Sequence, residues 1–151
     1  MSGPFTFNIR GAQALNARLN QLSREVATKV GQTAVRAGGR QLLKAVKAEA
    51  PIGPDAEGSK RKRKRKSGKV VDETHRKITN NLKLTKIRSP NDGVVTIALH
   101  AGAAYHASMV EFGSIHNAPN PFMQRGLMAG EQQAMDAIGK ALNRALTKRG
   151  V

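Results

Sequence analysis

Length, charge and composition exclude several classes of protein before any motif is considered. The chain has 151 residues, 26 Lys and Arg against 10 Asp and Glu, a formal charge of +16 and no cysteine. Disulfides, thiolate metal sites and cysteine nucleophiles are therefore excluded. No apolar run approaches the roughly 18 residues of a membrane-spanning helix. Because no positive stretch followed by an apolar segment opens the chain, we expect no signal peptide either.

The apolar residues predict a thin core. The chain has four Phe, one Tyr and no Trp, and alanine supplies much of its apolar fraction while burying little area per residue. At about 25 cal/mol per Å² of buried apolar surface, such a chain gains less from its own core than a typical domain of this length. We therefore expect part of its stability to come from neighbours in an oligomer or larger assembly.

The N-terminal third predicts a strand and a long helix. Residues 5–9 alternate apolar and polar side chains, which predicts a strand with one buried face. From Gly11 the apolar residues recur at three- and four-residue steps, which predicts a helix from about 11 to 49. Gly38-Gly39 predicts a kink or break because glycine is a poor helix former. Pro51 ends the helix, since the residue before a proline avoids helical geometry.

A basic segment follows, between about residues 52 and 69. Its charged run comprises Lys60, Arg61, Lys62, Arg63, Lys64, Arg65 and Lys66. Like charges repel one another and no apolar side chain anchors the run, so we predict a disordered, flexible loop. Such a loop binds phosphates without reading sequence, docks on an acidic protein surface, or remains solvated with no binding role. The sequence leaves these three interpretations open.

The next segment predicts a short helical turn and a β-hairpin. Residues 72–81 suit a helical turn with Asp72 as its cap. A first strand is indicated by Leu82, Leu84 and Ile87, and a second by Val95, Ile97 and Leu99. The turn signal at residues 90–93, Pro-Asn-Asp-Gly, joins the two strands, because Asp-Gly tolerates the positive φ angles of tight hairpins.

Two helices complete the chain. Residues 103–113 suit a short helix that Gly113 ends. A C-terminal helix begins with Asn120 as its N-cap and Pro121 in its first position, and runs to about residue 148. Its apolar stripe comprises Met128, Met135, Ile138, Leu142 and Leu146.

No pattern of catalytic or metal-binding residues stands out. The four histidines lack the spacing of metal ligands, and no Gly-rich phosphate loop follows a strand. A nucleophile elbow and paired carboxylates for acid–base catalysis are absent as well. We therefore expect no enzyme, no metal and no cofactor. An active site assembled between subunits is the weakest alternative.

The most specific pattern lies between residues 105 and 127. It reads Tyr105-His106-Ala107-Ser108-Met109-Val110-Glu111-Phe112-Gly113-Ser114, then a short linker, then Pro119-Asn120-Pro121-Phe122 before a helix. This block resembles the tail-completion (head–tail joining) family of long-tailed bacteriophages, with His106 as one extra residue between tyrosine and alanine. The opening strand, the helix from Gly11, the Ala50-Pro51 step and the hairpin extend the resemblance over most of the chain.

The predicted elements indicate an α+β fold, and the resemblance implies that residues 1–151 form a single domain. A small antiparallel sheet packs against a long N-terminal helix and a C-terminal helix, with the disordered basic loop between them. The implied function is structural: a homohexameric ring at the phage neck that completes or terminates the tail and joins it to the head. Its partners would be its own copies, other neck and tail proteins, and phage DNA through non-specific contact, all within the virion. The alternative is a small basic, histone-like nucleic-acid-binding protein.

Seven positions of the block have predicted structural or interface roles: Tyr105, Glu111, Phe112, Gly113, Pro119, Pro121 and Phe122. We expect Glu111 to pair with a basic residue of a neighbouring subunit. Phe112 and Phe122 are expected in the core, where they attach the block to the hairpin. Gly113 should provide a left-handed helix cap, and the two prolines should stiffen the approach to the last helix.

Overall fold

The computed structural model describes residues 24–53, 56–87 and 95–150 of the chain. Its elements are α1 (Arg24–Glu49), β1 (Lys60–Lys64), β2 (Val70–Thr74), α2 (Ile78–Asn81), β3 (Lys83–Ile87), β4 (Thr96–His100), α3 (Ala107–Phe112) and α4 (Phe122–Thr147). The strands form two antiparallel pairs, β1 with β2 and β3 with β4. The predicted α+β class is therefore confirmed. The predicted strand at residues 5–9 and the start of the first helix lie outside the described residues.

The two long helices, α1 and α4, pack against each other and form the centre of the fold. They run antiparallel, because Gly38 of α1 faces Ile138 of α4 whereas Val46 faces Gly126. Both helices approach closely at glycines: a Cβ at Gly38 would lie 2.6 Å from Cγ1 of Ile138. The absence of side chains at these positions allows the close approach.

The predicted break at Gly38-Gly39 is wrong, because α1 continues through both residues. Gly38 meets α4, and a Cβ at Gly39 would lie 3.3 Å from Leu84 of β3. Because the two glycines have no side chains, α4 and the β3–β4 hairpin can both pack closely against the same turn of α1. Packing on two sides offsets the poor helix propensity of glycine, about 1 kcal/mol per residue.

The core consists of two clusters of buried apolar side chains. The larger comprises Val46, Ala50, Ile78, Leu82, Ala104, Ala107, Phe122 and Leu127, and the smaller comprises Val30, Ala34 and Leu142. Phe122 is fully buried, which confirms its predicted place in the core. In the predicted stripe of α4, Leu142 and Leu146 are buried, but Met128 is 71% exposed, so its assignment to the buried face is wrong.

The β3–β4 hairpin is confirmed, with a register that runs from Lys83 opposite His100 to Ile87 opposite Thr96. Its predicted turn at residues 90–93 lies outside the described residues. Leu82 precedes β3 rather than starting it, and its side chain is buried in the larger cluster. This explains the irregular apolar spacing at the start of the strand.

The predicted cap of the short helix is wrong. Asp72 lies in the middle of β2, opposite Lys62, and α2 spans only Ile78–Asn81. The Glu57 carboxylate performs the capping instead, since its Oε2 accepts a 2.5 Å hydrogen bond from the backbone N–H of Lys77. The same oxygen accepts a 3.5 Å bond from the side chain of Asn80. A carboxylate 20 residues upstream thus holds the start of α2.

Candidate functional site

The basic segment forms a β-hairpin, so the prediction of a disordered loop is wrong. β1 pairs with β2 from Lys60 opposite Thr74 to Lys64 opposite Val70. The backbone N–H of Gly68 donates to the Arg65 carbonyl at 2.9 Å, and Gly68 has a φ of +78°. A turn closed by a glycine of positive φ is a common hairpin connection. We call residues 60–74 the basic hairpin; its strands pack mainly against each other.

Two sequence signals could have revealed this hairpin. Val70 and Val71 are β-branched residues that favour strands, and Ser67-Gly68 is a turn signal. Acidic partners in β2 partly offset the repulsion between the charges of β1, since Asp72 stands opposite Lys62 and Glu73 opposite Arg61. Cross-strand pairs of opposite charge contribute roughly 0.2–1 kcal/mol each.

Alternation along β1 separates its two kinds of cation. Successive side chains of a strand point to opposite faces, so Lys60, Lys62 and Lys64 share one face, which we call the lysine face. Arg61 and Arg63 share the opposite face, the arginine face. All five side chains of β1 belong to exposed residues. The strict Lys-Arg alternation of the sequence therefore becomes a two-sided ribbon.

The arginine face carries an ion pair and a partly covered partner strand. Arg63 Nη1 lies 3.3 Å from Oε1 of Glu73. On that face of β2, Val71 and Glu73 are half-buried, whereas Asp72 on the lysine face is exposed. The arginine face is therefore the more closely packed side of the basic hairpin.

Glu111 caps α4, although it lies twelve positions before Met123, whose N–H it binds. Its side chain belongs to a residue only 5% exposed. Oε2 accepts a 2.8 Å hydrogen bond from the N–H of Met123, and Oε1 accepts a 3.1 Å bond from the N–H of Gln124. A carboxylate at this position also interacts favourably with the positive end of the helix dipole. Both carboxylate oxygens are thus bonded within the subunit, and pairing of Glu111 with a neighbouring subunit stays a prediction.

The predicted N-cap Asn120 is wrong. Pro121 occupies the N-cap position and makes no side-chain cap, so α4 begins at Phe122. The side chain of Asn120 instead accepts a 2.8 Å hydrogen bond from Arg125, whose Nε donates to Glu49 at 3.1 Å. The first turn of α4 is thereby tied to the end of α1.

A tight loop around Gly113 returns the chain to the start of α4. Gly113 has φ +81° and ψ 176°. The predicted positive φ is confirmed, but the ψ value differs from a left-handed helical cap and is essentially restricted to glycine. A Cβ here would lie 3.0 Å from the carbonyl oxygen of Asn117 and from Pro119. Hydrogen bonds between Ser114 and Asn117 close the loop at 2.9 and 3.3 Å.

An exposed apolar stripe runs along the outside of this motif block. It comprises Tyr105, Met109, Phe112 and Ile115, each more than half exposed. Phe112 is 62% exposed and Ile115 is 95% exposed, so the predicted place of Phe112 in the core is wrong. Single exposed apolar residues are normal, whereas adjoining ones indicate an interaction surface. A spacing of three residues places Met109 and Phe112 on one side of α3, while Tyr105 precedes the helix and Ile115 follows it.

Two histidines connect the basic hairpin to this block. The rings of His75, directly after β2, and His106, directly before α3, stack with centroids 5.8 Å apart and planes 20° apart. Tyr105 meets His106 edge-on at 5.4 Å. Burial, and to a smaller extent the neighbouring His75, lower the pKa of His106 below its ordinary value of 6.5.

Stability should therefore decrease as the pH falls through the range in which His106 takes up its proton. Because the pKa of His106 is lowered in the folded state, the unfolded chain binds the proton first as the pH falls. The contribution of neutral His106 to the free energy of unfolding is complete above about pH 6.5. It is lost as the pH falls through the lowered pKa. Urea unfolding at about pH 7.5 and about pH 5 measures this loss. His106→Gln should reduce the difference, whereas His116→Gln, at an exposed residue, should not. An unchanged pH dependence in H106Q would contradict the assignment.

Residues 24–53, 56–87 and 95–150 form neither a metal-binding cluster nor a helix able to span a membrane. Within these ranges no group of three or more His, Asp or Glu could hold a metal ion. No helix in this part of the chain is both long and apolar enough to cross a membrane.

Comparison with known proteins identifies a family. Residues 13–113 match the family described as "Bacteriophage HK97-gp10, putative tail-component". The matched range covers more than half of the chain and extends through the basic hairpin and α3 to Gly113. No curated protein matches the sequence. No solved structure matches it either.

Proposed function

The chain belongs to the HK97 gp10-like family of bacteriophage tail components, and from that premise we propose that it forms a ring at the phage neck. A tail component is a structural protein of the virion. In the proposed role, six copies complete or terminate the head-proximal end of the tail and join it to the head. The partners are other copies of this chain and the adjoining neck and tail proteins.

The exposed apolar stripe is the observation that supports assembly. In an isolated subunit its Phe112 and Ile115 side chains lie in water, and burying them against a neighbour contributes about 25 cal/mol per Å² of apolar surface. Aromatic residues and Met are enriched at the centres of protein interfaces. Glu111 and the Gly113 loop hold the stripe in a fixed position, so a partner meets an ordered surface.

The charge distribution also supports contact between identical subunits at this place. The chain carries +16 overall, yet it has no Lys or Arg between Arg88 and Arg125. Like charges facing each other across an interface between identical subunits would repel. The stripe lies within this segment, so it presents no Lys or Arg of its own to a neighbouring subunit.

Introducing charge into the stripe should dissociate the proposed ring. Phe112→Asp combined with Ile115→Asp should reduce the molar mass from that of a multi-subunit assembly to that of a monomer. Light scattering coupled to size exclusion measures the mass, at about 0.5 M salt, where the Debye length is only about 4 Å. Helical circular dichroism should not change, because both side chains are exposed in the subunit.

A matched control is Ile52→Asp, since Ile52 is also strongly exposed but lies outside the motif block. It should leave the mass unchanged. Phage carrying the double substitution in the stripe should accumulate separate heads and tails, counted by electron microscopy. Normal yields of complete virions from that phage would contradict the proposed joining role.

The histone-like alternative depends on the basic hairpin alone. Family membership and the stripe favour assembly as the main function, because neither is needed for a freely diffusing DNA-binding protein. Contact with DNA then becomes an additional property of the basic hairpin.

A further inference from the structure

We propose that the lysine face of the basic hairpin binds the phosphates of duplex DNA, while the arginine face stabilises the hairpin itself. This binding surface lies outside the motif block on which the proposed ring depends. It goes beyond the ring because it assigns different roles to neighbouring cations in a single strand.

The lysine face offers charges that the described part of the protein does not use. Lys60, Lys62 and Lys64 are exposed, and none of their side chains forms a hydrogen bond or ion pair with another described residue. Asp72 opposes Lys62 in register and is the only acidic residue of the basic hairpin on this face. Side chains on one face of a strand repeat every 6.6 Å or so, which gives a row of evenly spaced positive charges.

The arginine face is occupied differently. Glu73 opposes Arg61 in register, and its carboxylate pairs with Arg63 at 3.3 Å. Val71 and Glu73 are half-buried on this side, and long arginine side chains can cover neighbouring surface in this way. The charge of Arg63 is therefore already paired within the basic hairpin, and its side chain is less free to bind a partner.

The chemistry of the lysine face favours nucleic acid over a protein partner. Charged residues, and lysine in particular, are depleted from the centres of protein interfaces, and Val70 is the only apolar side chain on this face. Lysine binds phosphate as a compact point charge, and a duplex presents one negative charge per about 1.7 Å of its axis.

The shape of the basic hairpin indicates duplex rather than single-stranded DNA. Its two strands form a ribbon, and the major groove, about 12 Å wide, admits a two-stranded ribbon. Single-strand binders stack bases on aromatic side chains, and residues 60–74 contain no aromatic residue.

Two matched double variants of the full-length protein test the proposal. Lys62→Gln with Lys64→Gln and Arg61→Gln with Arg63→Gln each remove two charges from adjacent positions. Fluorescence anisotropy with a 30-base-pair duplex measures affinity between about 50 and 200 mM salt. Each lost phosphate contact lowers the slope of log affinity against log salt by about 0.9. The affinity of wild type falls by some factor as the salt rises over this range. For the lysine variant that factor should be about ten times smaller.

The arginine variant should retain the salt slope of wild type but exchange its amide hydrogens at residues 60–74 faster. Equal slope losses in both variants would overturn the assignment to one face, and unchanged slopes in both would overturn DNA contact by the basic hairpin. Displacement of the duplex by polyglutamate at equal charge concentration would also overturn it, in favour of an acidic protein partner. None of these results depends on the molar mass of the assembly, so this proposal and the ring can fail separately.

Discussion

Replacing Gly126 with alanine should destabilise the protein by about 1–2 kcal/mol. A Cβ at this position would collide with the Cα of Val46 and lie 2.8 Å from its backbone nitrogen. Backbone atoms cannot rotate away as a flexible side chain can, so α1 and α4 must separate and lose packing along their contact. Overpacking a core costs about 1–3 kcal/mol, which exceeds the gain of at most about 1 kcal/mol from the better helix propensity of alanine. Urea or thermal unfolding measures the loss.

Gly139→Ala provides the matched control. Gly139 lies in the same helix, and a Cβ there would meet nothing within 4 Å among the described atoms. The same substitution should therefore stabilise the protein by about 0.5–1 kcal/mol, because alanine restricts the unfolded chain and favours the helix. Equal stability of the two variants would show that α1 and α4 are not in close contact at Gly126.

Replacing Glu111 with alanine should cost about 3 kcal/mol. The substitution removes two charge-assisted hydrogen bonds to the N–H groups of Met123 and Gln124. Each such bond contributes about 1.5–3 kcal/mol, and a buried amide left without a partner adds to the loss. The favourable interaction with the helix dipole disappears as well. For a chain of this length the midpoint of thermal unfolding should fall by roughly 6–12 °C, as measured by calorimetry.

Two further substitutions isolate the cap. Glu131→Ala removes an exposed glutamate from the same helix and should change stability by no more than about 0.5 kcal/mol. Glu111→Gln retains one acceptor oxygen, so its loss of stability should lie between those of Glu111→Ala and Glu131→Ala. A Glu111→Ala variant as stable as Glu131→Ala would mean that the carboxylate does not hold the start of α4.

Local periodicity was sufficient to predict the elements that depend on neighbouring residues. The β3–β4 pairing follows from alternation, and the burial of Phe122 from its place at the start of an amphipathic helix. Phe112 shows the limit of this reasoning. Its apolar character is visible in the sequence, but whether a short helix turns that side chain inward or outward depends on the elements beside it.

The remaining errors arose from contacts between residues distant in the sequence. Gly38-Gly39 has the composition of a break, and only the positions of Ile138 and Leu84 show that it is a packing site. The Glu111 cap connects two helices through a loop, a relation that no fixed spacing reveals. The prediction of a disordered loop depended on the positive charges alone. It did not include the acidic partners Asp72 and Glu73 or the turn at Gly68.

The basic hairpin is structurally independent of the α1–α4 core. Its strands pack mainly against each other, and backbone hydrogen bonds between Ser59 and His75 (2.7 Å) and between Gly58 and His75 (3.0 Å) close its base. Each added cross-strand pair would extend its reach by about 3.3 Å without touching the α1–α4 core. The length and charge of this segment can therefore change without altering the α1–α4 core. The same core could then carry hairpins that fit neighbours of different shapes.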